Sequence, residues 1–239
     1  MVSMKFYETG SIDMDWITNI VTITEVLGTI AFSISGAMVA IRKRMDILGV
    51  IVLGVVTATG GGMIRDVLLG NTPPMAFRDG SYVTWATITA VVVFILVDRQ
   101  WHEKSPQWLD SFLNVVDAIG LGVFAVMGVR AAIYNGYGDN GFLSIFVGVL
   151  TGVGGGLLRD MMAGEVPKIF RKRIYAVAAL LGAVAYYYTV ETLFTEAAAI
   201  VFGSLLVVCV RMLATHFQWN LPRARYGMDQ EAPAKGKNG

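Results

Sequence analysis

The chain has 239 residues, 55% of them hydrophobic and only 15% charged, with 19 Lys and Arg against 18 Asp and Glu. A soluble domain usually carries about a quarter charged residues, so the composition argues against one, and a net charge of +1 gives no electrostatic footprint for nucleic acid. With a mean hydropathy of +0.59 and charges gathered in short stretches between long apolar runs, the sequence reads as an all-α, multi-pass membrane protein.

The first fifteen residues include Glu8, Asp13 and Asp15, against the basic start of a cleavable signal, so none is expected. Runs of mostly apolar residues long enough to cross a bilayer, about 20 residues each, then follow in order. They cover 17–41, 47–69, 82–97, 108–133, 141–163, 174–190 and 196–214, with the third and sixth shorter than the rest. Trp85, Trp101, Trp108 and the run Tyr186, Tyr187 and Tyr188 fall near expected ends, where amphipathic rings favour the membrane interface. The lone Cys209 has no intramolecular partner and reads as a small buried hydrophobe. Residues 222–239 are polar and rich in Pro, Gly and Lys, and read as a disordered tail.

Seven crossings put the two ends of the chain on opposite sides. Only Lys5, Arg78 and Arg130 lie on the side of the N-terminus, fourteen basic residues lie on the other, and Arg65 and Arg159 fall inside spans. The positive-inside rule therefore predicts an external N-terminus and a cytoplasmic C-terminus.

The chain also repeats itself. The run from Gly54 to Asp66 (GVVTATGGGMIRD) aligns without a gap on the run from Gly148 to Asp160 (GVLTGVGGGLLRD). Downstream, Pro73, Phe77, Arg78 and Tyr82 correspond to Pro167, Phe170, Arg171 and Tyr175; upstream, Glu25, Gly28, Phe32 and Gly36 correspond to Asp117, Gly120, Phe124 and Gly128. Residues 17–98 and 108–190 thus read as two three-helix units, with the seventh helix, 196–214, added. A three-crossing unit enters its second copy from the opposite face, so the repeats are inverted, an arrangement that places a pathway at their interface near the midplane.

Gly60, Gly61 and Gly62, and likewise Gly154, Gly155 and Gly156, admit two compatible readings. Each glycine costs about 1 kcal/mol relative to alanine inside a helix, which predicts a kink or unwound turn facing the protein interior. Glycine also lets a second helix approach closely. The charges that follow, Arg65 with Asp66 and Arg159 with Asp160, need partners inside a membrane. Neighbours in sequence do not face one another on a helix, so partners are expected elsewhere: Glu25 for Arg65 in the outer half and Asp117 for Arg159 in the inner half. Asp66 and Asp160 are then left to attract cations near each mouth. The hydroxyls of Ser33, Ser35, Thr57, Thr59 and Thr151 either replace part of an ion's hydration shell or bond back to their own helices. Lys168, Arg171, Lys172 and Arg173 form a basic cluster set either by topology or by anionic lipid head groups.

The duplicated Gly-Gly-Gly-x-x-Arg-Asp motif, with Pro and Phe-Arg after it, resembles the prokaryotic trimeric intracellular cation (TRIC) channel family over about residues 22–215. The resemblance implies a homotrimer with a pore through each protomer that passes K⁺ and Na⁺. It further implies that spans 2 and 5, kinked at Gly60–Gly62 and Gly154–Gly156, line the pore with help from spans 1 and 4. The same repeat unit is also described as a glycine transporter domain, which keeps a carrier for a small zwitterion open as the alternative. An enzyme needs a nucleophile with a base or a metal cluster; His102 and His216 lie far apart and outside the motif, so no catalytic residue, resident metal or cofactor is expected.

Overall fold

The structure is a computed structural model and describes residues 11–100, 108–171, 174–192 and 195–219. Among these residues the chain is helical throughout, without strands. Helix α1 (Ser11–Arg42) is followed by α2 (Ile47–Leu68), the single turn α3 (Met75–Arg78) and α4 (Ser81–Gln100). The second half repeats the order as α5 (Trp108–Ala132), α6 (Gly141–Met162), the single turn α7 (Lys168–Arg171) and α8 (Ile174–Thr189), and α9 (Glu196–His216) completes the chain. Five helical stretches are long and apolar enough to cross a membrane: Trp16–Arg42, Ile47–Leu68, Leu109–Tyr137, Gly141–Met162 and Glu196–His216. The apolar stretches Ser81–Val97 and Ile174–Thr189 are shorter.

Local chemistry sets the helix ends. The side chains of Asp46, Asn140 and Thr195 cap α2, α6 and α9, accepting hydrogen bonds from the N–H groups of Gly49, Leu143 and Ala198, the usual role of such residues at an N-terminus. Helices α2 and α6 finish alike. Gly70 and Gly164 take φ of +77° and +67°, which lets the next N–H, of Asn71 or Glu165, return to the carbonyl of Asp66 or Asp160 at 2.7 and 2.9 Å. This closure satisfies carbonyls that a helix end otherwise leaves unpaired. The chain then turns through proline into α3 and α7.

Packing follows the duplication. Helices α1, α2 and α4 form one bundle, α5, α6 and α8 another, α9 leans on α5 and α8, and α1 against α5 and α2 against α6 join the two. Phe32, Leu121, Ala125, Val153 and Tyr175 belong to one buried cluster spanning that junction.

Three sequence expectations change here. Helices α2 and α6 run unbroken through both glycine triplets, so no unwound turn opens there and the glycines act through close packing. Cys209 is exposed on the outside of α9 rather than buried, as a small apolar side chain facing lipid would be. The expected tail and two of the four residues of the basic cluster, Lys172 and Arg173, lie outside the described residues. Tyr186 is fully buried and Tyr188 is exposed, so the aromatic run divides between core and periphery instead of forming one interfacial belt.

Candidate functional site

The two halves meet where α2 crosses α6, and the contact is reciprocal. A Cβ on Gly61 would lie 2.2 Å from the carbonyl oxygen of Thr151; a Cβ on Gly155 would lie 2.1 Å from that of Thr57. Gly61 corresponds to Gly155 and Thr57 to Thr151 in the repeat, so each half offers the other the same surface. The outer members of the triplets do less. Gly60 meets only the flexible end of Leu158, and Gly62 has nothing nearer than the Arg65 guanidinium at 3.9 Å. The threonines are committed locally. Thr57, Thr59 and Thr151 donate to the carbonyls of Leu53, Val55 and Val147 at 2.6, 2.8 and 2.6 Å, back along their own helices. Ser33 donates to the carbonyl of Ala86 at 2.7 Å, tying α1 to α4.

Two cavities flank this crossing. The first, about 120 Å³, is lined by Glu25 and Thr29 of α1, Thr59, Gly62, Arg65 and Asp66 of α2, Tyr82 of α4 and Phe124 of α5, among others. The expected Glu25–Arg65 pair is absent. Glu25 instead accepts a hydrogen bond from the Tyr82 hydroxyl at 2.6 Å, and the Arg65 Nε donates to Asp66 at 2.8 Å. The second Asp66 oxygen accepts the N–H of Met75 at 2.8 Å, holding the start of α3. No lysine or arginine among the described residues lies within ion-pair distance of Glu25.

The second cavity, about 360 Å³, is lined by Ser35, Val39 and Arg42 of α1, Asp110, Leu113 and Asn114 of α5, and Asp160, Glu165 and Lys168. Here the expected pair is present. Arg159, fully buried, donates to Asp117 at 2.5 Å and also to Ser35. Its Nε donates to Asp160 at 2.9 Å, whose other oxygen accepts the N–H of Lys168 at 2.7 Å and holds the start of α7. Asp160 therefore repeats the part of Asp66: both are engaged in fixing the short helices rather than free to gather cations. The expectation that Arg and the adjacent Asp do not meet is corrected in both halves. The rule concerns side chains projecting at their Cβ positions, and an arginine stem is long enough to wrap back in the last turn.

Asp117 gathers more charge than Glu25. Lys168 Nζ and Arg211 Nη2 each lie 3.4 Å from it, and the Arg211 guanidinium also sits over the Tyr175 ring at 4.5 Å. Burial lowers the Lys168 pKa from the ordinary lysine range, and Asp117 opposes that shift. Lys168 thus points at a buried carboxylate, not outward as a lipid-binding cluster requires. At the rim, Arg42 pairs with Asp110 at 2.7 Å and Lys43 with Glu165 at 2.9 Å; the hydrogen bond from Lys43 holds the Glu165 carboxyl below its ordinary pKa.

Between the cavities lie Phe32 and Phe124, repeat counterparts whose rings meet tilted at 34° with centroids 5.3 Å apart. Each rests on the other half's glycine: Phe32 occupies the space a Cβ on Gly120 would take, and Phe124 lies 3.3 Å from a Cβ position on Gly28. Phe32 is 1% exposed. Three contributors went unread in the sequence. Tyr82 was visible only as an aligned repeat position, and Arg211 only as a single charge interrupting the apolar run of α9. The third is the cluster in which buried Glu196 accepts from Arg130 at 2.7 Å and from Tyr134 and Tyr186 at 3.0 and 3.3 Å, fastening α9 to the second bundle.

Comparison with known proteins agrees with this architecture. A family model described as a glycine transporter matches twice, over residues 22–98 and 114–191. A UPF0126 membrane protein of Deinococcus radiodurans is 41% identical over 197 residues, covering 82% of this chain and 87% of that protein. The UPF0126 inner membrane protein YadS of Escherichia coli (strain K12) is 36% identical over 209 residues, covering 86% and 96%. Among solved structures, a prokaryotic TRIC channel crystallised in 0.5 M KCl superposes with a TM-score of 0.77 at 32% identity, covering 85% of this chain and all of the other. The TRIC trimeric intracellular cation channel orthologue from Rhodobacter sphaeroides gives 0.76 at 35% identity, covering 84% of this chain and all of the other.

Proposed function

We propose that this chain, which belongs to the prokaryotic trimeric intracellular cation (TRIC) channel family, is a multi-pass membrane channel passing monovalent cations, K⁺ and Na⁺, through a pore inside each protomer. The observation that carries this reading is the pair of cavities set along α1. Glu25 and Thr29 line one, Ser35, Val39 and Arg42 the other, with Phe32, Phe124 and the glycine crossing between. At 1.5 Å per residue, Glu25 and Val39 are about 21 Å apart along the helix, most of the hydrocarbon thickness. A hydrophobic constriction between two polar vestibules is a recognised way to close a pore, so the arrangement suits a shut channel.

The same proposal includes seven crossings in two inverted three-helix units plus α9. Helix α4 has 20 residues and α8 has 16, about 30 and 24 Å, the latter short enough to require local thinning or protein cover. It places the N-terminus outside and the C-terminus in the cytoplasm, puts the Glu25 cavity toward the outside and the Lys168 cavity toward the cytoplasm, and assembles three copies. The structural relatives are named as trimeric cation channels, which supports the assembly and the cargo. No cofactor is part of the proposal, and membrane lipid is its solvent rather than a ligand.

A carrier for a small zwitterion such as glycine is the second reading, favoured by the description of the matching family model. Against it, a carrier binds its substrate near the midplane with specific polar groups, whereas the middle of this protein holds Phe32, Phe124 and glycine, and the hydroxyls there, of Ser33, Thr57 and Thr151, are bonded to backbone carbonyls. Purified protein reconstituted in planar bilayers with K⁺, Na⁺ and Cl⁻ gradients tests the choice. Unitary currents reversing near the K⁺ equilibrium potential are expected. Saturable glycine uptake with no unitary current, or a Cl⁻-selective current, would reverse the assignment.

A further inference from the structure

The two halves share a motif but not a charge. Around the first cavity, Glu25 and Asp66 face the single cation Arg65, and Arg78 and Asp79, held by the Thr72 carbonyl and the Ser81 N–H, cancel in the count, leaving one negative charge in excess among the described residues. Around Asp117, the carboxylates Asp117 and Asp160 face Arg159, Arg211 and Lys168, leaving one positive charge in excess among the described residues; the rim pairs Arg42–Asp110 and Lys43–Glu165 are neutral. The difference is written in particular substitutions. Met75 stands in the first half where Lys168 stands in the second, each giving its backbone N–H to the conserved-position aspartate of its own half. Arg211 comes from α9, which has no counterpart in the first half.

Resting on the channel reading above, we infer that the pore rectifies, passing cations more readily from the Glu25 cavity toward the Lys168 cavity than in reverse. Glu25 is the group that gathers cations, and Lys168 is the group that sets the barrier at the far end. Glu25 is partly exposed to its cavity and has no ion-pair partner, so its charge acts on entering ions. Lys168 lines the second cavity, its side chain 24% exposed, so part of its charge faces the route as well. A cation entering past Glu25 is concentrated before it meets the barrier and crosses most of the membrane field on its way to the top. A cation entering past Lys168 meets the barrier at once, with little of the field behind it. Both effects favour the same direction. The energy of one charge across the full field at 100 mV, about 2.3 kcal/mol, caps the ratio at about fiftyfold for a barrier at one mouth; a barrier about four-fifths of the way across gives about tenfold, and a partial barrier about twofold.

The test is single-channel recording in symmetric 0.1 M KCl at ±100 mV. Orientation is read from a charged, membrane-impermeant thiol reagent applied to one chamber and acting on Ser81→Cys in a Cys209→Ser background. The wild-type chain is expected to carry about two- to tenfold more current in the direction from Glu25 to Lys168. Lys168→Met, which copies Met75, raises the smaller current, and Glu25→Gln lowers the larger one; each brings the ratio toward one. Raising KCl to 1 M, where screening acts over about 3 Å, flattens the wild-type ratio and needs no variant. Linear currents at 0.1 M, or rectification the other way, overturn this inference and leave the channel reading standing. Bilayers without unitary current overturn both.

Discussion

Replacing one glycine of each triplet by alanine separates close packing from every other reading of the motif. A methyl on Gly61 would sit 2.2 Å from the carbonyl oxygen of Thr151, where a carbon–oxygen contact needs about 3.3 Å, so α2 and α6 must part by about 1 Å. The opposing atom is backbone and has no rotamer to move to. Overpacking costs about 1–3 kcal/mol in a tight core, and Gly61→Ala belongs at or above the upper end. For a chain of this size about 3 kcal/mol lowers the melting midpoint by about 6–12 °C. Gly155→Ala meets the carbonyl of Thr57 at 2.1 Å and should cost the same. The double variant should cost much less than the sum, because one separation of the helices relieves both clashes, and contacting sites are where additivity fails. Gly60→Ala displaces only the tip of Leu158 and should cost under about 1 kcal/mol. Gly62→Ala enters open space and gains alanine's helix propensity, worth about 1 kcal/mol, so it should be neutral or stabilising. Thermal denaturation of the detergent-solubilised protein, followed by loss of the monodisperse peak, reads all five. Equal damage from Gly61→Ala and Gly62→Ala would refute the crossing as the reason for the triplet.

Asp117→Ala leaves Arg159, Arg211 and Lys168 facing one another around an empty position, and removing one partner of a buried pair costs about 3–5 kcal/mol. The same melting assay should show Glu25→Gln to be far milder, since the amide still accepts from Tyr82; similar losses would contradict the difference in charge drawn between the halves. Asp160→Ala and Asp66→Ala remove the side chains that hold α7 and α3, a capping loss of about 1 kcal/mol added to the lost ion pair with Arg159 or Arg65, visible as faster proteolysis of the loops at residues 70–75 and 164–168. Thr57→Val and Thr151→Val should leave unitary conductance within about twofold, because both hydroxyls are buried and bonded to their own helices; a drop of tenfold would place them in the ion's path after all. At the rim, the Glu165 carboxyl has its pKa lowered by Lys43. A depressed carboxyl stabilises the fold above its unfolded pKa and loses that contribution as pH falls through the folded value. Glu165→Gln should therefore differ slightly from the wild-type melting point at pH 7 in low salt and converge on it as pH falls through the lowered carboxyl pKa.

The helices were legible in the sequence because a membrane leaves few alternatives for twenty apolar residues, and the duplication was legible because both copies keep charges inside a span. The Asp117–Arg159 pair followed from the repeat alone. Its counterpart did not, and the reason lies outside the repeat. Asp117 is held among Arg159, Lys168 and Arg211, two of which have no equivalent near Glu25, so nothing in the first half draws the acid toward Arg65. Glutamate, longer by one methylene than aspartate, meets Tyr82 instead, while the Tyr175 hydroxyl is left without a hydrogen-bond partner. Alignment of the two halves shows which residues occupy equivalent places, but not which of several equivalent partners wins when a third element contributes.

The glycine triplets show the complementary difficulty. Helix propensity counts each glycine as a cost and predicts a break, yet the cost is local and the compensation is not. It comes from a second triplet about ninety residues away, which presents the same bare backbone to the first. A single triplet in isolation would favour a kink; two copies related by inversion can cross face to face, each lending the other the surface that a Cβ would have blocked. The equivalent motifs border cavities at different ends of α1, one at Glu25 and Thr29, the other at Ser35, Val39 and Arg42. Once the copies diverge at Met75 and Lys168, and one of them acquires Arg211 from α9, a repeat that began with equal ends acquires unequal ones. Directional conduction then requires no element beyond those three side chains and Glu25.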